Sequence, residues 1–262
     1  MTEDSAEYLQ RKEFYNRMLT VYGRKPVLEV LQDNSLEIHK LHLAESNKPA
    51  AILDDMVKLA KKRGIEVCYH DKQALSRISK NSKQDQGVAA DVIGKGFQSH
   101  QSFLSSNKKH YRILALDGVT NPQNVGMIIR SACASPIDAI ILPEKGCAKL
   151  DPLVIKASTG TLFRAPILRC KTLASCLKAF AESGADIIGL DANAPHTLGE
   201  EPLTGAKIFV LGNETEGLSS DVRAICNKHV SIPMLNNVES LNVAVTASLI
   251  AFQGALQSAQ QV

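Results

Sequence analysis

The sequence predicts an α/β protein of two domains, of which the second is built on a mostly parallel sheet flanked by helices. In the second half of the chain, short apolar runs alternate with helix candidates. These runs lack polar/apolar alternation, which is typical of strands buried on both faces of a parallel sheet. A chain of 262 residues is long enough to form one or two such cores.

A smaller α/β domain is predicted for residues 1–93, including a short N-terminal extension. Hydrophobic periodicity predicts, in order, a helix over 25–31, a strand over 38–43, a helix over 50–63, a strand over 65–69, a helix over 72–78 and a strand over 87–92. Gly64 ends the second helix. Residues 94–110 are rich in Ser, Gly and Gln and lack periodicity, which predicts a linker.

The second domain is predicted to span residues 111–262. Its strand candidates are the apolar runs at 113–116, 139–142, 166–168, 187–190, 208–211 and 230–232. Polar loops marked by Gly or Pro follow three of these strands. Such loops at strand ends are where α/β proteins bind ligands.

Composition favours a cytosolic protein. The N-terminus is acidic and lacks a secretory signal pattern, and no apolar run approaches the roughly 20 residues of a membrane span. Six scattered cysteines form no Cys-x-x-Cys pair, so we interpret them as small buried hydrophobes. Residues 1–110 hold 18 Lys and Arg against 14 Asp and Glu, a balance of +4, which fits either a nucleic-acid-binding module or uneven solvation charge.

The first polar motif follows the strand candidate that ends at Leu116. Pro122 suits the first turn of a helix, and Asn121 suits its cap. Arg130 is the one charge in the body of this helix. It lies either on a solvated face or near Asn124, where its guanidinium would bind a phosphate or a ribose hydroxyl.

The second motif, 211–219, follows the strand candidate that ends at Leu211. Gly212 and Gly217 permit backbone conformations or close approaches that other residues do not. The motif is either an acidic turn or a binding loop. In the second case a flat ligand lies against Gly212, and Glu214 orients catalytic groups or substrate.

The third motif begins with Ile232 and Met234, continues through a polar loop and enters an apolar helix predicted over 241–256. Ser240 is the predicted cap of that helix. Ser240 and Asn242 also lie where unpaired helix amides bind anions, so capping and catalysis are compatible.

Two other stretches are weaker candidates. Residues 156–166 are rich in Ser, Thr and Gly, with a cation near each end, and form either an ordinary loop or a phosphate-facing surface. His39 and His42 are three apart in a segment that alternates like a strand, without a third metal ligand near them in the sequence. We therefore predict no metal site. The phosphate-binding patterns Gly-x-Gly-x-x-Gly and Gly-Lys-Ser/Thr are absent from the sequence.

Taken together and in this order, the three motifs resemble those of the SpoU (TrmH-like) class of SPOUT RNA methyltransferases. Residues 111–262 resemble the catalytic domain, whereas 22–31 and 86–88 resemble the start and end of the ribosomal-protein-like substrate-binding domain. The resemblance implies a homodimer whose catalytic domain contains a trefoil knot. It also implies transfer of a methyl group from S-adenosyl-L-methionine to a ribose 2′-hydroxyl in RNA. The two-domain layout most resembles that of the ribosomal RNA ribose methyltransferases, so ribosomal RNA is the implied substrate.

The resemblance assigns site residues by position. The catalytic positions are Asn124, Arg130, Glu214, Ser240 and Asn242. The cofactor-binding positions are Leu211, Gly212, Gly217, Ile232, Met234 and Leu241. Thr215 stands where many relatives carry Gly, and Thr161 where they often carry Ala, so loop shape or substrate fit differs at these points.

Other functions stay open at this stage. The RNA could be transfer RNA, or the methylation of ribosomal RNA could confer antibiotic resistance. A non-catalytic RNA-binding or ribosome-assembly protein would use the same fold, but none of the catalytic positions is lost. A small-molecule methyltransferase would leave the basic N-terminal module without a purpose.

Overall fold

A computed structural model describes residues 11, 14, 15 and 17–258, the last three of them as backbone only. The chain divides into two compact units. The first ends at Lys95 and includes Leu150–Pro152, and the second comprises Gly96–Lys149 and the residues from Leu153 onward.

The first unit is a four-stranded mixed sheet with three described helices. Its elements are β1 (Met18–Tyr22), α1 (Arg24–Gln32), β2 (Glu37–Ala44), α2 (Ala51–Lys62), β3 (Glu66–His70), α3 (Lys72–Ser79) and β4 (Val88–Ile93). The strand order is β1-β4-β2-β3, in which β4 is antiparallel to both neighbours and β2 is parallel to β3. All six elements predicted from periodicity are present, whereas β1 was not predicted.

The buried faces of these helices follow the helical period. In α1 the buried side chains are Val27, Val30 and Leu31. The α3 helix begins at an Asp71 cap, whose carboxylate accepts a hydrogen bond from the Ala74 amide at 2.7 Å. Leu75 of α3 packs in an apolar cluster with Tyr22, Ala44 and Ala89 on one face of the sheet.

The second unit is a seven-stranded sheet in which every described strand pair is parallel. Its order is β11-β9-β10-β6-β7-β8-β5. The strands are β5 (Phe97–Ser99), β6 (Tyr111–Leu116), β7 (Ala139–Pro143), β8 (Ile167–Cys170), β9 (Asp186–Leu190), β10 (Ala206–Leu211) and β11 (Lys228–Val230). The helices are α4 (His100–Ser105), α5 (Pro122–Cys133), α6 (Pro152–Ala157), α7 (Leu173–Glu182), α8 (Ser220–Arg223) and α9 (Val243–Ser258), with single 3₁₀ turns at Thr161–Phe163 and Leu198–Glu200.

The predicted parallel α/β architecture is confirmed, and its burial pattern explains the sequence signal. All residues of β6 and β7 are buried. A strand covered on both faces does not alternate polar with apolar side chains, and Arg112 is the one charged residue in these two strands.

The segment 94–110, predicted as a linker, instead contains a strand and a helix. β5 pairs with β8 at the sheet edge, and α4 begins at Ser99, whose hydroxyl accepts a hydrogen bond from the Ser102 amide at 3.1 Å. Phe97 and Phe103 are both buried. One large apolar side chain anchors each short element, so the surrounding Ser and Gln residues conceal the pattern.

Two further properties bear on the sequence predictions. None of the described helices is long and apolar enough to cross a membrane. All six cysteines are free. Cys170 and Cys176 are buried as expected, whereas Cys68, Cys133, Cys147 and Cys226 are only half-buried.

Candidate active site

The candidate site lies at the carboxyl ends of the two adjacent central strands β6 and β10. These strands are parallel neighbours, and Leu116 is paired with Leu211 at their last positions. The loops that follow both strands therefore begin side by side. The first carries the Asn121–Arg130 motif, and the second carries the 211–219 motif.

The start of α5 has the predicted form. Asn121 caps the helix by accepting a hydrogen bond from the Gln123 amide at 2.9 Å, and Pro122 occupies the first turn. Four apolar side chains of this helix are buried, namely Val125, Ile128, Ile129 and Ala132. Asn124 is also buried, so its amide must find partners inside the protein.

The loop after β10 is closed on itself. The backbone groups of Asn213 and Gly217 exchange two hydrogen bonds of 3.0 and 2.9 Å. The Asn213 side chain accepts from the Thr215 amide at 2.8 Å and donates to the Gly118 carbonyl oxygen at 2.9 Å. A Cβ atom added to Gly212 would lie 2.3 Å from the Gly217 carbonyl carbon, so only glycine fits there.

One side chain from each motif joins a continuous chain of hydrogen bonds. Asn242 donates through Nδ2 to the Oδ1 atom of Asn124 at 3.1 Å. Asn124 in turn donates through Nδ2 to the Glu214 carboxylate. Glu214 and Asn242 are 90 and 118 residues from Asn124 in the sequence, yet the three side chains meet at this point. Asn124 is thus held in one orientation, with its carbonyl toward Asn242 and its amide toward Glu214.

Asn242 also begins α9, which corrects the expected role of Ser240. The helix starts at Val243, and Asn242 accepts a hydrogen bond from the Ala244 amide at 2.9 Å. The prediction of Ser240 as the cap was wrong, because the polar loop extends two residues further than its composition indicated. Ser240 is exposed and precedes the helix start.

Among the described residues, Arg130 is not part of the hydrogen-bonded chain that joins Asn124, Glu214 and Asn242. It is exposed near the end of α5, and among the ion pairs of the described residues none joins it to Glu214. Residues six apart in an α-helix point in directions roughly 120° apart. Arg130 therefore faces a different direction from Asn124 and is free to bind a group outside the chain.

The predicted cofactor positions differ in exposure. Leu211 is buried, whereas Gly212, Ile232, Met234 and Leu241 are half-buried and Gly217 is exposed with a left-handed backbone. The half-buried members offer apolar surface and backbone groups to a ligand. Their arrangement around a cofactor stays a prediction.

Residues that sequence reasoning missed tie the strand ends together. The Asp117 carboxylate accepts from the Ser219 amide at 2.7 Å. The Cys147 thiol donates to the Leu116 carbonyl oxygen at 3.2 Å, and burial raises the pKa of this thiol to about 11. The thiol is therefore neutral and structural. The signal for Asn213 was available, since Asn commonly bonds to the backbone two residues on.

The stretch 156–166 has a packing role that its composition did not indicate. A Cβ on Gly126 of α5 would lie 2.4 Å from the Ala157 Cβ atom, so the two segments approach closely. Ser158 is fully buried, and Thr161 donates to its carbonyl oxygen at 2.7 Å. Lys156 and Arg164 are exposed, and a phosphate-facing role for them stays a prediction.

The fold and site define a class of protein in which a parallel α/β sheet carries a cluster of hydrogen-bonded polar side chains where two central strands end. The sequence model of the SpoU rRNA methylase family matches residues 111–252, and that of the RNA 2′-O ribose methyltransferase substrate-binding domain matches residues 20–98. The chain belongs to the SpoU (TrmH-like) family of RNA methyltransferases.

Individual relatives agree with this assignment. An uncharacterised tRNA/rRNA methyltransferase of Mycolicibacterium smegmatis is 32% identical over 240 residues, covering 90% of this chain and 76% of the relative. A protein assigned to the TrmH family of tRNA/rRNA methyltransferases in Staphylococcus epidermidis is 32% identical, with 90% and 94% covered. The structure of AviRb, a SpoU methyltransferase of Streptomyces viridochromogenes in complex with AdoMet, has a TM-score of 0.63 at 22% identity, with 98% and 95% covered, and so shares the fold.

Proposed function

We propose that this protein transfers a methyl group from S-adenosyl-L-methionine to a ribose 2′-hydroxyl in RNA, with ribosomal RNA as the favoured substrate. The observation that carries the proposal is the hydrogen-bonded chain from Asn242 through Asn124 to Glu214. It joins the three motifs close to the ends of the neighbouring strands β6 and β10, and strand ends are where α/β enzymes do their chemistry. The match of residues 20–98 to a 2′-O ribose methyltransferase substrate-binding domain supports the ribose assignment.

The residues at the proposed cofactor site fit such a ligand. Ile232, Met234 and Leu241 are half-buried and leave apolar surface for a purine ring, while Leu211, Gly212 and Gly217 supply backbone groups. When bound, S-adenosyl-L-methionine supplies an electrophilic methyl group. The chain then has to bind and orient the ribose oxygen in line with it, and positioning of this kind supplies a large share of a rate enhancement.

Asn124 and Asn242 are the proposed orienting residues for the ribose. The Glu214 carboxylate accepts a hydrogen bond from the Asn124 amide and thereby fixes the orientation of Asn124 against Asn242. Ser240 lies close to the N-terminus of α9, where developing negative charge is favoured. These groups are in place before substrate binds, so little reorganisation is needed during the reaction.

Arg130 is the proposed binding residue for the target phosphate. Its exposure leaves the guanidinium available to RNA, and a guanidinium keeps its proton in proteins. Arg130 would therefore stabilise developing negative charge on the ribose oxygen, and proton removal stays unassigned among Arg130, Ser240, a water and the phosphate. We expect Arg130→Ala to abolish turnover with little loss of cofactor binding.

The matched control for Arg130→Ala is Lys178→Ala, which removes an exposed cation from α7. Both variants are assayed for methyl transfer and for cofactor affinity by calorimetry. Retained turnover in Arg130→Ala would contradict the assigned role. An equal loss in Lys178→Ala would show that the effect is one of overall charge.

A homodimer with a trefoil-knotted catalytic domain is part of the proposal. Helices α5 and α9 are joined by a 2.8 Å hydrogen bond from Ser248 to Ser131, and both expose large apolar side chains. Met127 is 43% exposed, and Val245 and Leu249, one turn apart, are 48% and 42% exposed. Apolar exposure on neighbouring helices is typical of a surface that is covered by a partner. Light scattering should give twice the chain mass, and Leu249→Glu should lower it.

The experiment that tests the function is transfer of labelled methyl from S-adenosyl-L-methionine to protein-free ribosomal RNA and, separately, to transfer RNA. Nuclease digestion and nucleoside analysis then locate the label. We expect a 2′-O-methylated nucleoside in ribosomal RNA. Label in transfer RNA alone would favour the tRNA alternative, label on a base would overturn the ribose assignment, and cofactor binding without label in either RNA would favour the non-catalytic RNA-binding protein.

A further inference from the structure

The first unit contains a cluster of side chains of the types that bind metal ions. Along the sequence, His39 and His42 have no third ligand near them. Strand pairing supplies it, because β2 and β3 are parallel and place His42 directly opposite Cys68, with His70 two residues further on. Alternate residues of a strand share a face, so all three side chains point to the same side of the sheet. One ligand atom from each lies within 4.8 Å of the others.

His39 does not belong to this cluster. The pairing of β2 with β4 shifts register between Ile38 and Lys40, which places His39 at an irregularity in the strand. Its ring packs edge-on against Phe14, with 5.1 Å between ring centroids. The three ligand residues of the cluster therefore come from two strands and are not neighbours in the sequence.

The buried His42 ring is held in one orientation by a carboxylate. His42 Nε2 lies 3.0 Å from Asp91 Oδ2, and the hydroxyl of Thr20 donates to the other Asp91 oxygen at 2.7 Å. In the tautomer that donates from Nε2 to Asp91, the lone pair of the His42 ring lies on Nδ1.

That lone pair points to the rest of the cluster. His42 Nδ1 lies 3.0 Å from His70 Nε2. Two nitrogen ligands about 2.0–2.1 Å from a tetrahedral zinc ion are separated by about 3.3 Å, so a small shift of the half-buried His70 ring admits an ion. A carboxylate behind a ligating histidine is the arrangement that metal sites use to fix the ring and its tautomer.

We propose that His42 Nδ1, Cys68 Sγ and His70 Nε2 bind one Zn²⁺ ion, with Asp91 as the residue that positions His42. One thiolate and two imidazoles form a donor set that suits zinc, and three protein ligands leave a fourth position for water. Binding displaces the Cys68 thiol proton to solvent, since the thiolate is the ligand. The ion would join the edge strand β3 to β2. This proposal is independent of the methyltransferase function.

The competing arrangement of the same atoms is a hydrogen bond from His70 to His42 without a metal. Titration of the chelator-treated full-length protein with Co²⁺ distinguishes the two. A thiolate-to-cobalt charge-transfer band with intense visible bands, saturating at one equivalent and abolished by Zn²⁺, is the expected result. Absence of the thiolate band in the wild-type protein would overturn the proposal without reference to any variant.

Variants locate the site. Cys68→Ala should abolish the charge-transfer band, and Asp91→Asn, which keeps all three ligands, should weaken Zn²⁺ affinity by about 10–100-fold. Cys133→Ala is the matched control, because Cys133 is another half-buried free cysteine and should leave the titration unchanged. Zn²⁺ should raise the Tm of the wild-type protein and of Cys133→Ala but not that of Cys68→Ala. A Cys68→Ala protein that keeps its far-ultraviolet circular dichroism and still gives the band would refute the assignment.

Discussion

Gly212→Ala tests whether the closed loop after β10 forms the site. The new Cβ atom would lie 2.3 Å from the Gly217 carbonyl carbon, 2.5 Å from its oxygen and 2.6 Å from the Leu218 nitrogen. All three atoms belong to the backbone, so no side-chain rotation relieves the overlap. The loop must open, and opening moves Glu214 away from Asn124.

Overpacking costs about 1–3 kcal/mol, and replacing Gly with Ala recovers about 0.4–1 kcal/mol by restricting the unfolded chain. We therefore expect a net loss of about 1–2 kcal/mol in the free energy of unfolding, together with loss of methyl transfer. Urea unfolding followed by circular dichroism measures the first effect. The matched control is Gly199→Ala, whose Cβ meets only Thr197 Oγ1 at 3.8 Å and should change stability by less than about 0.5 kcal/mol. A Gly212→Ala protein as stable and active as this control would refute the reasoning.

Two further predictions concern buried charge. In the ion pair of Lys207 with Glu201 the side chains are only 4% and 10% exposed, so Glu201→Met should cost about 3 kcal/mol or more by leaving an ammonium group unpaired. Adding Lys207→Met should restore most of the loss in urea unfolding, and no recovery would contradict this account. The pKa of the Asp91 carboxyl is lower in the folded protein than in the unfolded chain, where it is about 3.9. Ionised Asp91 therefore contributes its full stabilisation above about pH 3.9, and this stabilisation is lost as the pH falls through the lower pKa of the folded state. Asp91→Asn should flatten that acid limb of a stability–pH profile, and an unchanged limb would refute it.

The sequence predicted most of the helices and strands because their periodicity is local. Its errors lie where tertiary contacts, and not local periodicity, decide the structure. β5 and α4 depend on one buried Phe each, so their Ser- and Gln-rich composition indicated a linker. The start of α9 was placed two residues early because both Ser240 and Asn242 are good caps, and only tertiary contacts decide between them.

The candidate site was predictable in its members but not in its contacts. The three motifs identified Asn124, Glu214 and Asn242 by type and order, but the hydrogen bonds among them depend on strand order in the sheet. The cluster at His42 and Cys68 was missed for the same reason. Cross-strand register brings distant residues together, and no local pattern records it.

The central claim is that the hydrogen-bonded chain through Asn124 positions the methyl acceptor rather than the cofactor. The most direct test is to measure, for Asn124→Ala and wild type, the single-turnover rate of methyl transfer to RNA and the Kd for S-adenosyl-L-methionine on the same preparations. We predict a rate lower by about 100-fold with a Kd changed by less than about threefold. An unchanged rate, or a loss of cofactor affinity that accounts for the whole effect, would contradict the account.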